Sequence, residues 1–425
     1  MLVLRGLSVI DCIDETPKDS IDLVVEDATI RALERRRRAI AGKSDQTIDC
    51  RGLFAVPGLI DAHTHFCLAV TPWEPGSDDP RVTALSIAKT AAYALQNARD
   101  CIESGITTVR DAGSPHYGIF EIKRLIDGGE VVGPTIIGCG RAIRPTGGHG
   151  RYVGVAADGP DDVRKAARKN LEAGAQALKL MASGAGAESR ESPYEIGLTE
   201  AEMAAAIEVA RGHGRSTCAH SINPESTRNA VLAGVDSIEH GVLLDDASLQ
   251  LMKEHDVAFV PTVWTYQNTS ENGMLYGVES WMLPEIRRRV NHHLAIVNKA
   301  HEMGLRIAAG TDSSTPIALR QGLFWELEWL VHCGLTPLDA IRSATQVNAS
   351  LLRRLDLGTL AAGQAADILV VNANPLDDVR NLQRSSLVLK SGRVVAKDGR
   401  LLERRAVVDR RTVPEGPTPS AALAV

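Results

Sequence analysis

Eight short apolar segments, most of them ending on polar residues and separated by stretches of helical periodicity, occupy the middle of this chain and restrict its fold more than any other feature. They are LIDAHTH (59–65), ITTVRDAG (106–113), PTIIGCG (134–140), ALKLMAS (177–183), STCAHS (216–221), SIEHG (237–241), VAFVPTV (257–263) and RIAAGTDS (306–313). Helical stretches fall at 84–104, 160–173, 199–213, 245–255, 281–304 and 320–333, with Gly105, Gly174, Gly214 and Gly304 where a helix should stop. Strands alternating with helices build a parallel sheet, and eight units over roughly 280 residues suit a closed (β/α)8 TIM barrel better than an open sheet.

Both ends of the chain read differently. LVLRGLSVID, SIDLVVEDATIRAL and QTIDCRGLFAVPG near the start read as short strands separated by turns, and ADILVVNAN, SSLVLKSGRVVAKDGR and AVVDRRTV near the end alternate apolar and polar residues with Ser-Gly and Asp-Gly turns between them. The expected fold class is therefore α/β: a TIM barrel over 57–356 and a small β-sandwich domain built from both chain termini, 1–56 and 357–425. A helix at 337–355 leads back to that second domain, and the tail EGPTPSAALAV is left unassigned.

With 425 residues, 44% of them hydrophobic, the chain can bury a large core and does not have the composition of a disordered protein. The balance of 47 basic against 53 acidic residues lacks the footprint of a nucleic-acid binder. The N-terminus has none of the parts of a signal peptide, and there is no apolar run long enough to span a membrane, so neither partner is expected. Seven scattered cysteines without a Cys-x-x-Cys pair fit reduced thiols in a cytoplasm and offer no thiolate zinc site. Phosphate-loop, dinucleotide, nucleophile-elbow and H-E-x-x-H motifs are missing from the chain.

The polar residues at the strand ends are His63, His65, Lys179, His220, His240 and Asp312. At the C-terminal face of such a barrel, neighbouring strand ends converge on one cavity. His63 and His65, two apart on a strand, point to one face and can grip one ion, although His-x-His alone also suits a turn pair. The run VPGLIDAHTH sets them directly behind buried apolar residues, where a polar pair needs a compensating partner that a metal would supply.

These residues and their surroundings resemble the amidohydrolase superfamily of metal-dependent hydrolases over nearly the whole chain. The resemblance is carried by PGLIDAHTH, ALKLMASG, CAHS, GVDSIEHG, GTDSS and ATQVNASLLRRLDLGTLAAGQAADILVVNANPLDD. The Lys179 strand, RPTGGHG (144–150) and SPYEIGLTEAEM (192–203) make it most similar to the prolidase-like and carboxypeptidase-like group, to which imidazolonepropionase is related. The resemblance implies two divalent metal ions, His63 and His65 at the more buried one, His220 and His240 at the second, and Lys179 bridging them. A protonated ammonium has no lone pair, so it also implies carbon dioxide held as a carbamate on Lys179; a salt-bridged lysine at the strand end is the alternative. Asp312 would contact the first ion and take a proton from a water whose pKa both ions lower, although an aspartate here could also cap a helix. Zinc comes first among the metals, with manganese or cobalt as alternatives that such ligands also accept.

The segment RAIRPTGGHGRYVG (141–154) places His149 between glycines, and the resemblance implies that it polarises the scissile carbonyl; an ordinary loop histidine is the alternative. Arg141, Arg144, Arg151 and Arg190, with Tyr152 and Tyr194, lie in the same loops. An arginine fork with a tyrosine hydroxyl suits a substrate carboxylate, whereas charged loop residues are often merely solvated. The stretch 264–283, read as a loop, adds Trp264, Tyr266, Tyr276 and Trp281, either as the wall of an apolar pocket or as packing for a neighbouring helix.

The expected activity is binuclear hydrolysis of an amide-type carbon–nitrogen bond in a dipeptide (Xaa-Pro-like) or N-acyl amino acid with a free carboxylate. Rival substrates are carbamates, ureas, anilides or mycotoxin-type amides, for which the aromatic stretch would matter and the arginines would not. Ring deamination fits a bridging lysine less well, and a catalytically silent assembly protein would have lost ligands that are all present here. The expected partners are a small-molecule substrate and, from the resemblance alone, further copies of the chain in a homo-oligomer.

Overall fold

The computed structural model describes residues 1–35, 46–68, 86–185, 191–276, 278, 280–313 and 322–402. The segment at 406–413, the tail and Arg190 therefore lie outside the described residues, as does the side chain of Tyr276.

The first strands are β1 (Leu2–Val9), β2 (Lys18–Glu26), β3 (Thr29–Arg35), β4 (Gln46–Asp49) and β5 (Phe54–Pro57). Strand β1 pairs antiparallel with β2 and parallel with β4 and β5. Next come the barrel strands β6 (Leu59–Thr64), β7 (Ile106–Asp111), β8 (Thr135–Gly138), β9 (Ala142–Arg144), β10 (Gly154–Ala156), β11 (Ala177–Met181), β12 (Ser216–Ser221), β13 (Ser237–His240) and β14 (Ala258–Val260). The last strands are β15 (Ile368–Val371), β16 (Ser385–Lys390), β17 (Arg393–Lys397) and β18 (Arg400–Leu401).

Strand β15 lies antiparallel to β5, Val370 opposite Ala55, so both ends of the chain join in one nine-stranded sheet. Among the described residues, the strands of both termini belong to this single hydrogen-bonded sheet. Leu4, Leu23, Val25 and Ile30 from the first segment meet Ile368, Val370 and Leu389 from the last in one buried cluster. The hairpins between β16, β17 and β18 turn at Ser391-Gly392 and Asp398-Gly399, all four at positive φ, the geometry that two-residue hairpin loops favour.

The barrel strands form two parallel sheets, β6–β7–β8 and β10–β9–β11–β12–β13–β14. The Gln176 N–H donates to the Gly138 carbonyl at 2.9 Å, linking β8 to the start of β11. Residues 306–313, read as the eighth strand, make isolated parallel bridges instead of a continuous ladder: Phe259 with Ile307 and Thr64 with Ser313. Backbone bonds from Ala308 N to Phe259 O (2.8 Å) and from Ala62 N to Ala309 O (3.0 Å) close the ring on both sides of that segment.

The helices are α1 (Ile87–Glu103), α2 (Gly118–Asp127), α3 (Gly159–Ala173), α4 (Glu200–Gly212), α5 (Pro224–Ala233), α6 (Asp246–Glu254), α7 (Val263–Asn272), α8 (Leu283–Glu302), α9 (Leu323–His332), α10 (Pro337–Ser343) and α11 (Gln346–Leu351). Local chemistry starts them: Thr199 and Glu202 form a capping box on α4, and Asn223 and Asp245 cap α5 and α6. Gly174 ends α3 at φ 114°, where a Cβ would be strained. Leu178, Leu180, Ala219 and Ile238 of the strands pack outward against Val163, Met203, Ile207 and Val231 of the helices.

Three sequence expectations need correction. The stretch 141–154 contains the short strand β9 and the first residue of β10, and 264–283 contains most of helix α7 and two 3₁₀ turns instead of an open loop. The helix expected over 337–355 breaks at Ala344 and Thr345, where Thr345 takes φ −135° and ψ −92°. Beyond the break, the Asn348 amide donates to Ile60 O (2.6 Å) and Ala309 O (2.8 Å), fastening the helix to the two segments that close the ring. The register of those two bonds, not local helix propensity, decides where the chain turns.

Helix α7 is fixed by Glu326 of α9, whose buried carboxyl accepts from Val263 N (3.0 Å) and Trp264 N (2.7 Å). Burial pushes this carboxyl from 4.5 up to about 8. Its contribution to stability is therefore fully present below about pH 4.5 and is lost as pH rises through about 8. Glu326→Gln should flatten the fall in urea midpoint across that window; parallel midpoint curves for the two proteins would refute the assignment.

Candidate metal centre

Each expected strand-end residue stands at the C-terminal rim, and the backbone there departs from plain strand geometry. Strand β6 shifts register against β7 between Asp61 and Thr64, which re-aims His63 next to the inward Ala62. His240 (φ 71°), Thr262 (φ 51°) and Asp312 (φ 54°) are left-handed non-glycine residues at three successive strand exits. Such positions cost about 1–3 kcal/mol each and persist only where the surroundings over-determine them. Here the bonds from Asp312 N to His63 O (2.7 Å) and between His240 Nδ1 and Thr262 Oγ1 (2.8 Å) involve all three.

The side chains converge. Asp312 Oδ1 lies 3.5 Å from His63 Nε2 and 3.3 Å from His65 Nε2, and one ligand atom from each of the three fits within 4.8 Å of the others. Lys179 Nζ is 3.4 Å from His63 Nε2. The His240 ring is 4.9 Å from that of His63 and 4.7 Å from that of His220, and His149 stacks on His220 at 4.5 Å. All six strand-end groups and His149 thus belong to one contiguous cluster. Apart from Asp312 and His149, which keep side-chain exposures of 15% and 16%, its members are buried.

Partners on the outer side orient the rings. His63 Nδ1 faces Glu239 Oε2 at 2.6 Å, and His65 Nδ1 faces the Gly113 carbonyl at 2.8 Å. In each case the second nitrogen, Nε2, is left toward Asp312. Burial, then the charges of Lys179, His65 and Arg110, hold the His63 imidazole well below its ordinary value. Burial does the same to His220 and His240, with cationic neighbours adding to it. These three imidazoles are therefore neutral at pH 7, the state in which they can ligate. For His65, burial lowers the pKa, but the bond to Asp312 and its charge, the Gly113 carbonyl and the Asp111 charge together raise the group. A proton shared there is one that a bound cation would displace.

His220 Nε2 is buried with no hydrogen-bond partner among the described residues. An orphaned buried imidazole nitrogen, three neutral rings and a carboxylate aimed at His63 and His65 form a donor set that fits divalent cations.

Several residues that complete this arrangement were not singled out in the sequence: Arg110, Glu239, Thr262, Gly113 and Glu191. A signal for the first two existed, since Arg110 and Glu239 are charged residues inside the strand segments ITTVRD and SIEH. The others act through backbone or loop contacts that only the fold creates. Glu191 faces His149 Nδ1 at 2.8 Å, leaving His149 Nε2 free of that carboxylate. The His149 bond, working against burial, holds the Glu191 carboxyl below the usual range.

The remaining expected residues are divided. Arg144 ends β9, donates to Pro145 O at 3.1 Å and keeps a buried Nε without a partner among the described residues. Burial, then the charges of Arg151 and Arg141, hold Arg144 below its usual value. Arg141 donates to the Gly154 carbonyl, and Tyr152 packs against Leu68, Ala142, Val153 and Met181. Tyr266 is half-buried, with its ring 5.9 Å from that of His240. Trp264 stands elsewhere, stacked on Trp325 at 4.7 Å, and Tyr194 and Trp281 are exposed. No helix of the described residues is long and apolar enough to cross a membrane.

A parallel barrel carrying histidines, a lysine and an aspartate at its strand ends is the architecture of a metal-dependent hydrolase. The chain belongs to the amidohydrolase family, whose sequence model matches residues 54–395, and it is a hydrolase acting on carbon–nitrogen bonds. It is 29% identical to ochratoxinase of Aspergillus niger over 371 residues, 78% of this chain and 73% of that protein. Among solved structures, an amidohydrolase is 31% identical, with a TM-score of 0.84 over 93% of this chain and 99% of the other. A Xaa-Pro dipeptidase with methionine bound in its active site is 27% identical, with a TM-score of 0.84 over 92% and 99% of the two chains.

Proposed function

We propose that this chain hydrolyses the amide bond of a dipeptide of Xaa-Pro type or of an N-acyl amino acid, using two divalent cations at the strand ends of the barrel. The observation that carries this reading is the cluster of His63, His65, Lys179, His220, His240 and Asp312 at the strand ends. Likeness to the Xaa-Pro dipeptidase supports it. Residues 57–356 are the catalytic barrel in this reading, and 1–56 with 357–425 form the supporting domain.

His63 and His65 with Asp312 would hold one cation, His220 and His240 the other, and Lys179, carried as a carbamate, both. Zinc, manganese and cobalt all suit these ligands. When bound, the cations would lower the pKa of the attacking water and polarise the substrate carbonyl. Asp312 then accepts the proton of the attacking water on its carboxylate and delivers it to the departing nitrogen. His149, oriented by Glu191 through Nδ1, would donate from Nε2 to the carbonyl oxygen as a doubly protonated imidazolium paired with that carboxylate. Arg144 and Arg151, with Tyr152, receive the substrate carboxylate, the buried Nε of Arg144 supplying an unused donor. Tyr266 closes the side next to His240.

A second reading is supported by the likeness to ochratoxinase: an amide, carbamate, urea or anilide whose acceptance does not depend on the arginines. Arg144→Ala separates the two. For a carboxylate substrate the loss of a charge-assisted pair should raise KM roughly 10-fold or more, equivalent to about 1.5–3 kcal/mol. Xaa-Pro dipeptides and N-acyl amino acids should be assayed beside anilides and carbamates. Unchanged KM for every carboxylate substrate would remove the arginines from recognition, and cleavage of anilides alone would favour the second reading.

A further inference from the structure

We infer that Glu239 is a positioning residue: backed by Arg110, it holds His63 in the tautomer and orientation that turn Nε2 into the metal centre. The inference rests on the metal centre proposed above. Arg110, Glu239 and His63 are fully buried, and they come from three different strands, β7, β13 and β6. Glu239 Oε2 lies 2.6 Å from His63 Nδ1, while Oε1 accepts from Arg110 Nη2 at 2.8 Å and from Ser237 Oγ at 2.5 Å. Arg110 Nη1 is 3.3 Å from the same serine hydroxyl, and its Nε donates to the Ala62 carbonyl at 2.5 Å.

Arg110 therefore holds the backbone just before His63 while its carboxylate partner holds the His63 ring. An ionised carboxylate only accepts, so the nitrogen facing it must carry the proton and the other nitrogen must carry the lone pair. The chain geometry makes this reach unusual. Glu239 and His240 are consecutive, and in a plain strand they would point to opposite faces. The left-handed backbone at His240 lets both approach His63, one at Nδ1 and the other with its ring 4.9 Å away. Glu239 is thus not a ligand displaced from the site but a group beneath it.

Physical chemistry also separates orientation from scaffolding. A buried ion pair is costly to desolvate, and replacing both partners by neutral groups of similar size is often neutral or stabilising, whereas removing one leaves a buried unpaired charge. If the pair served only the barrel, the double replacement would be harmless. If it orients His63, cation binding must suffer even when stability does not.

The experiment compares metal-free wild type, Glu239→Gln and the double variant Arg110→Met with Glu239→Gln. Each is titrated with cobalt(II), followed by calorimetry and by the visible absorption of the bound ion, and each is melted without metal. The expected result is a Kd weakened roughly 10–100-fold in both variants, the range typical of losing a group that orients a metal-bound histidine. An altered visible band and a metal-free Tm in the double variant at or above that of Glu239→Gln should accompany it. A double variant with the wild-type Kd and band shape overturns the inference, and so does a loss of affinity that only tracks a loss of Tm. Wild-type protein that takes up no cobalt overturns the proposed metal centre itself, and the two failures are thereby distinguished.

Discussion

Asp312→Asn will lower kcat by about 10²–10⁴-fold, the usual contribution of a positioned acid–base group, while leaving the fold intact. The backbone argues for this choice of variant. Asp312 sits at φ 54°, a conformation asparagine tolerates better than most residues, and its N–H bond to the His63 carbonyl at 2.7 Å is untouched by the change. The amide keeps an oxygen near His63 Nε2 and His65 Nε2 but loses the ability to take up a proton. Cation content, measured by elemental analysis on the same sample, should therefore fall less than the rate. A variant that keeps its cations and more than a tenth of the wild-type kcat would remove Asp312 from proton transfer.

Lys179→Ala should have the second large effect: loss of about one cation per chain, and a fall in kcat beyond the roughly 10–100-fold typical of groups that merely orient a ligand. Lys179 is 1% exposed, and the hydrogen bond shown for it runs to His63 Nε2 at 3.4 Å, on the nitrogen that faces Asp312. A buried ammonium there offers three donors and no lone pair. It would also set a positive charge against Arg110 and any cation in the cluster. A carbamate reverses the sign of that charge and supplies two acceptor oxygens. Reconstitution of metal-free wild type should accordingly depend on bicarbonate, and Lys179→Ala should not respond to it. Full activity regained with zinc, manganese or cobalt in carbon-dioxide-free buffer would exclude the carbamate.

Much of this architecture could be read from the chain because it follows from local rules. Alternating apolar strands and amphipathic helices specify a parallel barrel, and seven of the eight expected segments are strands within about three residues of their expected ends. The eighth, 306–313, was recognised although it forms only isolated bridges, because its apolar residues must still cover the gap between β14 and β6. The strand ends named the clustered histidines, Lys179 and Asp312 for the same reason: in this barrel the chain direction alone puts them on one rim. The aromatic stretch after β14 was misread because α7 takes its N-terminal support from Glu326, more than fifty residues further along the chain.

The sequence by itself determined which residues reach the rim, since strand direction and two-residue periodicity are properties of the local chain. Only the tertiary structure decided how they face one another. The register shift in β6, the left-handed exits at His240 and Asp312, and the Arg110 and Glu239 pair beneath His63 all depend on contacts between segments far apart in sequence. Conformations that cost energy locally persist only where such distant partners hold them in place, so no local pattern announces them.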